Sequence, residues 1–150
     1  LFHNAGIPLM MERFPDYDDV MMESYAQTDC RVIDVENRML NTNHAVVGYY
    51  VAKSWNLPGH LCEVIAEHHN IEQVFTQSGT RAQERKTLLS ILKIAEHICG
   101  NFSILGQQDE DHEWKRVESD VFIHTGLTNY DVEEMVQNFR DMGIAVYCNY

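Results

Sequence analysis

Proline occurs three times and glycine eight times in 150 residues, a scarcity that excludes collagen-like, linker-like and low-complexity chains. No apolar run approaches the ~20 residues that span a bilayer, and no basic-then-apolar leader opens the chain. The four cysteines, Cys30, Cys62, Cys99 and Cys148, include no CxxC pair, so neither a disulfide framework nor a zinc-knuckle spacing is present. Cys62 and Cys99 sit among apolar neighbours and read as buried thiols. Basic residues are few: 11 Lys and Arg face 23 Asp and Glu, a formal net charge of -12. That balance argues against a broad electrostatic footprint for nucleic acid or an anionic membrane. GxSxG, P-loop and GxGxxG motifs are missing, as are strand patterns and tandem repeats. The chain reads as a cytoplasmic globular domain.

What is present is helical periodicity. A helix is expected from Ile7 to the Phe14-Pro15 stop, then one over residues 16–25 capped by Asp16 and one over residues 32–40. Asn43 is a good N-cap, and His44, Val47, Val51 and Trp55 then recur on one face. Pro58 opens the next helix, which ends at His68-His69. Residues 71–80 read as a polar loop. A long helix over residues 82–99 has Leu88, Leu89, Ile91, Leu92, Ala95, Ile98 and Cys99 as its apolar stripe and Gly100-Asn101 as its stop. Two further helices over residues 113–124 and 131–142 complete an all-α, compact multi-helix bundle, with 144–150 as a short docking tail. The acidic runs at 16–36 and 109–120 read as solvated faces. Arg81, Arg85, Lys86 and Lys93 read as helix-surface cations, and Tyr49, Tyr50 and Trp55 as core aromatics.

The chemistry concentrates on histidine. His44, His68 and His69 fall on inward faces, and Glu96 lies on the apolar stripe, four residues after Leu92 and seven after Leu89. A buried carboxylate or imidazolium without a partner is costly, so these four are expected to meet one another or a cation. Imidazole nitrogen and carboxylate oxygen suit Fe, Mn, Zn or Ni. A histidine on an apolar face is also commonly satisfied by a carbonyl or a buried acid, and both readings stand. His60, His97, His112 and His124 have no such setting.

The stretch HNAGIPLMMERFP, then Glu36, His44-x-x-x-Gly48, Trp55-x-Leu57-Pro58, His68-His69 and Ala95-Glu96, resembles the HDOD output domain, a branch of the HD phosphohydrolase superfamily in bacterial signalling proteins. The resemblance spans residues 1–100. It implies an HDOD-like domain over residues 1–105, lacking upstream helices of a longer protein, with 106–150 as a helical extension on the same core. In metal-binding members a His-Asp doublet, an upstream His and a later Asp hold the metal. His3-Asn4 occupies the doublet position and Glu96 the later acid, while His44, His68 and His69 match extra histidines of the cyclic-dinucleotide phosphodiesterase branch. Asn4 is neutral where the family supplies a metal-bridging carboxylate.

The expected function is a regulatory domain that acts through contacts with signalling proteins and has no hydrolytic activity of its own; a homo-oligomer is left open. The metal set implied is His3, Asn4, His44, His68, His69 and Glu96. The rival is a metal-dependent phosphohydrolase acting on a nucleotide or cyclic dinucleotide through a metal-bound water. The third reading is a structural or dimerisation module.

Overall fold

The computed structural model describes residues 2–143, and the tail expected at 144–150 lies outside them. The described residues form ten helices and no strand: α1 (Ile7–Arg13), α2 (Tyr17–Ala26), α3 (Val32–Leu40), α4 (His44–Ser54), α5 (Gly59–Glu67), α6 (Ile71–Phe75), α7 (Thr80–Cys99), α8 (Asn101–Gly106), α9 (His112–Thr125) and α10 (Asn129–Asp141). The all-α expectation holds. Two short helices are additions to it. α6 replaces the polar loop because Ile71 and Val74 are buried, and α8 follows once Gly100 takes the left-handed conformation at φ 70° and restarts the chain. Asp16 stands at the N-cap of α2, but its side chain makes no capping hydrogen bond. Asn43 does cap, accepting from the Val46 N–H at 2.9 Å.

Two large apolar clusters and a small one of Ala52, Cys62 and Ile65 between α4 and α5 carry the packing. One large cluster joins Ile7, Met10, Tyr17, Val20, Met21, Tyr25 and Val32 from the first three helices. The other joins Val64, Ile71, Val74, Leu89 and Ile94 to Trp114, Val117, Val121 and Val132, so α9 and α10 share a core with α5 to α7. Burial of this kind supplies roughly 25 cal/mol per Å² of apolar surface.

α7 is rotated relative to its expected stripe. Ile91 is exposed, as are Ala95 and Cys99, whereas Ser90, Lys93 and Ile94 are buried with Leu89 and Glu96. Lys93 is therefore not a surface cation. Cys62 is buried as expected. Tyr50 and Trp55, expected in the core, are exposed at 66% and 53%; Phe2 packs edge-on against Trp55.

The first turn is seated by two glycines. A Cβ on Gly6 would stand 2.1 Å from the His44 carbonyl oxygen and 2.8 Å from the Gly48 nitrogen. One on Gly48 would lie 3.3 Å from the His3 carbonyl oxygen. Backbone thus meets backbone, which holds His3-Asn4 beside the start of α4. Gly6→Ala is expected to cost about 3 kcal/mol or more, because backbone atoms cannot yield as side chains do. Gly59→Ala, whose Cβ would meet nothing within 4 Å, should be neutral or slightly stabilising. Urea denaturation of both variants checks the contrast.

Candidate metal centre

Three imidazoles converge at the head of α4 and the tail of α5. His44 is the first residue of α4 because Asn43 caps it, and His68 is the C-cap of α5, with His69 immediately after. All three are essentially buried, at 0%, 0% and 3% exposure. His44 Nε2 lies 3.2 Å from His68 Nε2 and 3.0 Å from His69 Nε2.

The opposite edge of each ring sets its tautomer. His44 Nδ1 donates to Glu36 Oε2 at 2.7 Å, His68 Nδ1 to the Ile65 carbonyl at 2.7 Å, and His69 Nδ1 to Glu113 Oε1 at 2.6 Å. Carboxylate and carbonyl oxygens only accept, so each ring keeps its proton on Nδ1. Each Nε2 lone pair then points at the others. One metal ion at their meeting point would take up all three lone pairs. Ligand nitrogens of a tetrahedral zinc site stand roughly 3.3 Å apart, given Zn–N of about 2.0–2.1 Å. The two separations from His44 Nε2 suit that geometry. Carboxylate or carbonyl partners on Nδ1 are also the usual outer support of metal-bound histidines.

Burial is the main cause that pushes the His68 and His69 rings well below their ordinary pKa of 6.5; neighbouring His69 and His44 add to it for His68, and Lys93 and His44 for His69. Both rings are therefore neutral near pH 7, as metal ligands must be.

Glu36 was expected within a solvated acidic run and among the residues that carry the HDOD resemblance, with no ligand or partner role. It is fully buried and accepts from the Tyr17 hydroxyl at 2.5 Å and from the His44 backbone N–H at 3.2 Å, besides the His44 ring. Burial first, and Glu36 second, push the Tyr17 phenol far up, so it stays a donor. Glu113, from the second acidic run, is likewise drawn inward. Its other oxygen accepts from Lys93 Nζ at 3.0 Å.

Glu96 is buried as the sequence suggested, but it is not among the three converging ligands. Its Oε1 lies 2.9 Å from His3 Nε2 and its Oε2 lies 2.7 Å from Lys93 Nζ. Both are ion-pair distances without hydrogen-bond alignment, since Oε2 and both His3 nitrogens lack a directed partner. Burial alone would raise the Glu96 carboxyl; the Lys93 ammonium, with His3, reverses this and holds it below the usual carboxylate range. Burial would lower the Lys93 amine, and Glu113 with Glu96 outweigh it. His3 packs edge-on against His68, with ring centroids 5.3 Å apart. The Asn4 side-chain oxygen is buried and makes no hydrogen bond. The centre proper is thus His44, His68 and His69, and His3 and Glu96 form a neighbouring layer joined to it through Lys93 and Glu113.

Charge completes the picture. Three inward carboxylates, Glu36 and Glu96 buried and Glu113 partly buried, face one ammonium, Lys93. One divalent cation at the three Nε2 atoms would offset the remaining negative charge. His97, expected to be without context, pairs with Asp111 at 2.9 Å and stacks on Trp114.

Among the described residues no helix is long and apolar enough to cross a membrane. A family model described as the HDOD domain matches residues 1–71, a shorter stretch than the expected 1–100, lying at the N-terminal side of the chain and including all three converging histidines. No curated protein and no solved structure matches the chain.

Proposed function

We propose, from the match of residues 1–71 to a family model described as the HDOD domain, a regulatory or signalling-output type, that the chain transmits a signal through protein contacts and hydrolyses nothing itself. A single metal on His44, His68 and His69 would act as a structural clamp. The observation that carries this reading is how the carboxylates are used. A two-metal phosphohydrolase needs anionic ligands to offset about four positive charges and to hold a bridging hydroxide. Here Glu36 and Glu113 serve the Nδ1 edges of His44 and His69, Glu96 is matched by Lys93 and His3, and Asn4 offers only a neutral oxygen.

A metal held by three neutral nitrogens from the ends of α4 and α5 would pin these helices together, which is support for a structural role. The outer side of α4 supports the contact role. Val46 and Tyr50, one turn apart on that side, are exposed at 42% and 66%, and exposed apolar side chains are common on docking surfaces.

The test is hydrolysis of bis(4-nitrophenyl) phosphate and of cyclic dinucleotides with added Mn²⁺ or Zn²⁺. Turnover should stay at the level of buffer with metal alone. Turnover well above it that disappears in His69→Ala would establish the phosphohydrolase reading instead.

A further inference from the structure

We infer that the Lys93 ammonium is the built-in second cation of this centre, holding Glu96 and Glu113 as a divalent metal otherwise would. The inference deepens the non-hydrolytic reading above, because a position filled by the chain's own charge cannot complete a two-metal centre.

The geometry is that of a cation between two bridging carboxylates. Lys93 Nζ lies 2.7 Å from Glu96 Oε2 and 3.0 Å from Glu113 Oε2. The second oxygen of each carboxylate goes to an imidazole: Glu96 Oε1 to His3 Nε2 at 2.9 Å, and Glu113 Oε1 to His69 Nδ1 at 2.6 Å. One charge therefore sits between two carboxylate–imidazole arms, and one arm ends on a ring of the three-histidine centre. Lys93 is 3% exposed and Glu96 9%. A lysine is rarely buried this deeply, and removing it would leave two inward carboxylates without their ammonium, a destabilising loss.

Lys93 Nζ and Glu96 Oε2 meet at ion-pair distance, so opposite charges attract there as a divalent cation would attract the same carboxylate. Once the ammonium is removed, the facing oxygens of Glu96 and Glu113 are left as two carboxylates around the vacated charge, donors suited to Zn²⁺ or Mn²⁺.

The experiment counts tightly bound Zn²⁺ by equilibrium dialysis on the full chain, comparing wild type, Lys93→Met, Lys93→Arg and the double variant Lys93→Met/Glu96→Gln. Lys93→Met should bind one equivalent more than wild type and should melt lower than wild type without Zn²⁺ and recover with it. Lys93→Arg keeps the charge and should keep the wild-type count. The double variant loses an anionic ligand, and the extra equivalent should bind at least 100-fold more weakly or vanish. The readout is a difference between variants, so it stands whether wild type binds one Zn²⁺ or none, and it is separate from the hydrolysis assay. An unchanged count in Lys93→Met would overturn the inference. So would an equal gain in the double variant, or a Lys93→Met chain that fails to refold even with Zn²⁺ present.

Discussion

Glu36→Ala should destabilise the fold by about 3–5 kcal/mol, since three buried donors lose their acceptor at roughly 1–3 kcal/mol each. The carboxylate is fully buried and satisfies three donors at once: the Tyr17 hydroxyl, the His44 ring and the His44 backbone N–H. Alanine leaves all three without an acceptor, and the space is walled by helices α2, α3 and α4. Glu36→Gln keeps one acceptor oxygen but turns an NH₂ group toward existing donors, so it should recover only part of the loss. Chemical denaturation of the three proteins orders them wild type, Gln, Ala; a Glu36→Ala chain within 1 kcal/mol of wild type would remove Glu36 from the account.

The second large effect concerns pH and metal together. His68 and His69 are held below their ordinary pKa of 6.5 in the folded chain, chiefly by burial. Below about pH 6.5 the unfolded chain takes up protons that the folded rings refuse, so stability falls as pH drops through that value toward the lowered folded pKa values. Above it these two rings contribute their full share and no further change. Bound metal competes with the same protons. At Zn²⁺ concentrations 100-fold above its Kd the folded state gains about 2.7 kcal/mol, a Tm increase of roughly 5–10 °C. That increment should shrink steeply between pH 7 and pH 5. Thermal melts with and without Zn²⁺ across this interval check it, and a Zn²⁺ increment independent of pH would rule out imidazole ligation.

Much of the centre was legible in the sequence. Asn43 before His44 marks a helix start, and Pro58 at one end with His68-His69 at the other sets a helix short enough to bring its tail back toward that start. Local chemistry decides both, so the three histidines were found. What decides Glu36, Lys93 and Glu113 is tertiary. Glu36 and Glu113 sit in acidic runs where nothing local separates the inward carboxylate from its solvated neighbours, and Glu113 reaches a histidine 44 residues away. Lys93 was placed outside because α7 has apolar residues on several sides, Leu88, Leu89, Ile91, Leu92 and Ile94, so its phase is ambiguous and a lysine defaults to solvent. The two inward carboxylates that meet Lys93 reverse that default. Tyr50 and Trp55 erred in the opposite direction: α4 turns its His44, Gly48 and Ala52 side inward, which leaves Tyr50 outside, and Trp55 stands past the last turn as the C-cap. Fold class was secure throughout, since helical period, caps and stops agreed along the described chain.

The account rests on three converging imidazoles sharing one cation, and a Zn²⁺ titration of metal-stripped full chain by calorimetry at pH 7.5 tests that most directly. The predicted result is one tight equivalent per chain, lost in His68→Ala and weakened about 10–100-fold in Glu36→Gln, whose side chain supports His44 from behind. Absence of tight binding, or tight binding that survives His68→Ala, would contradict it.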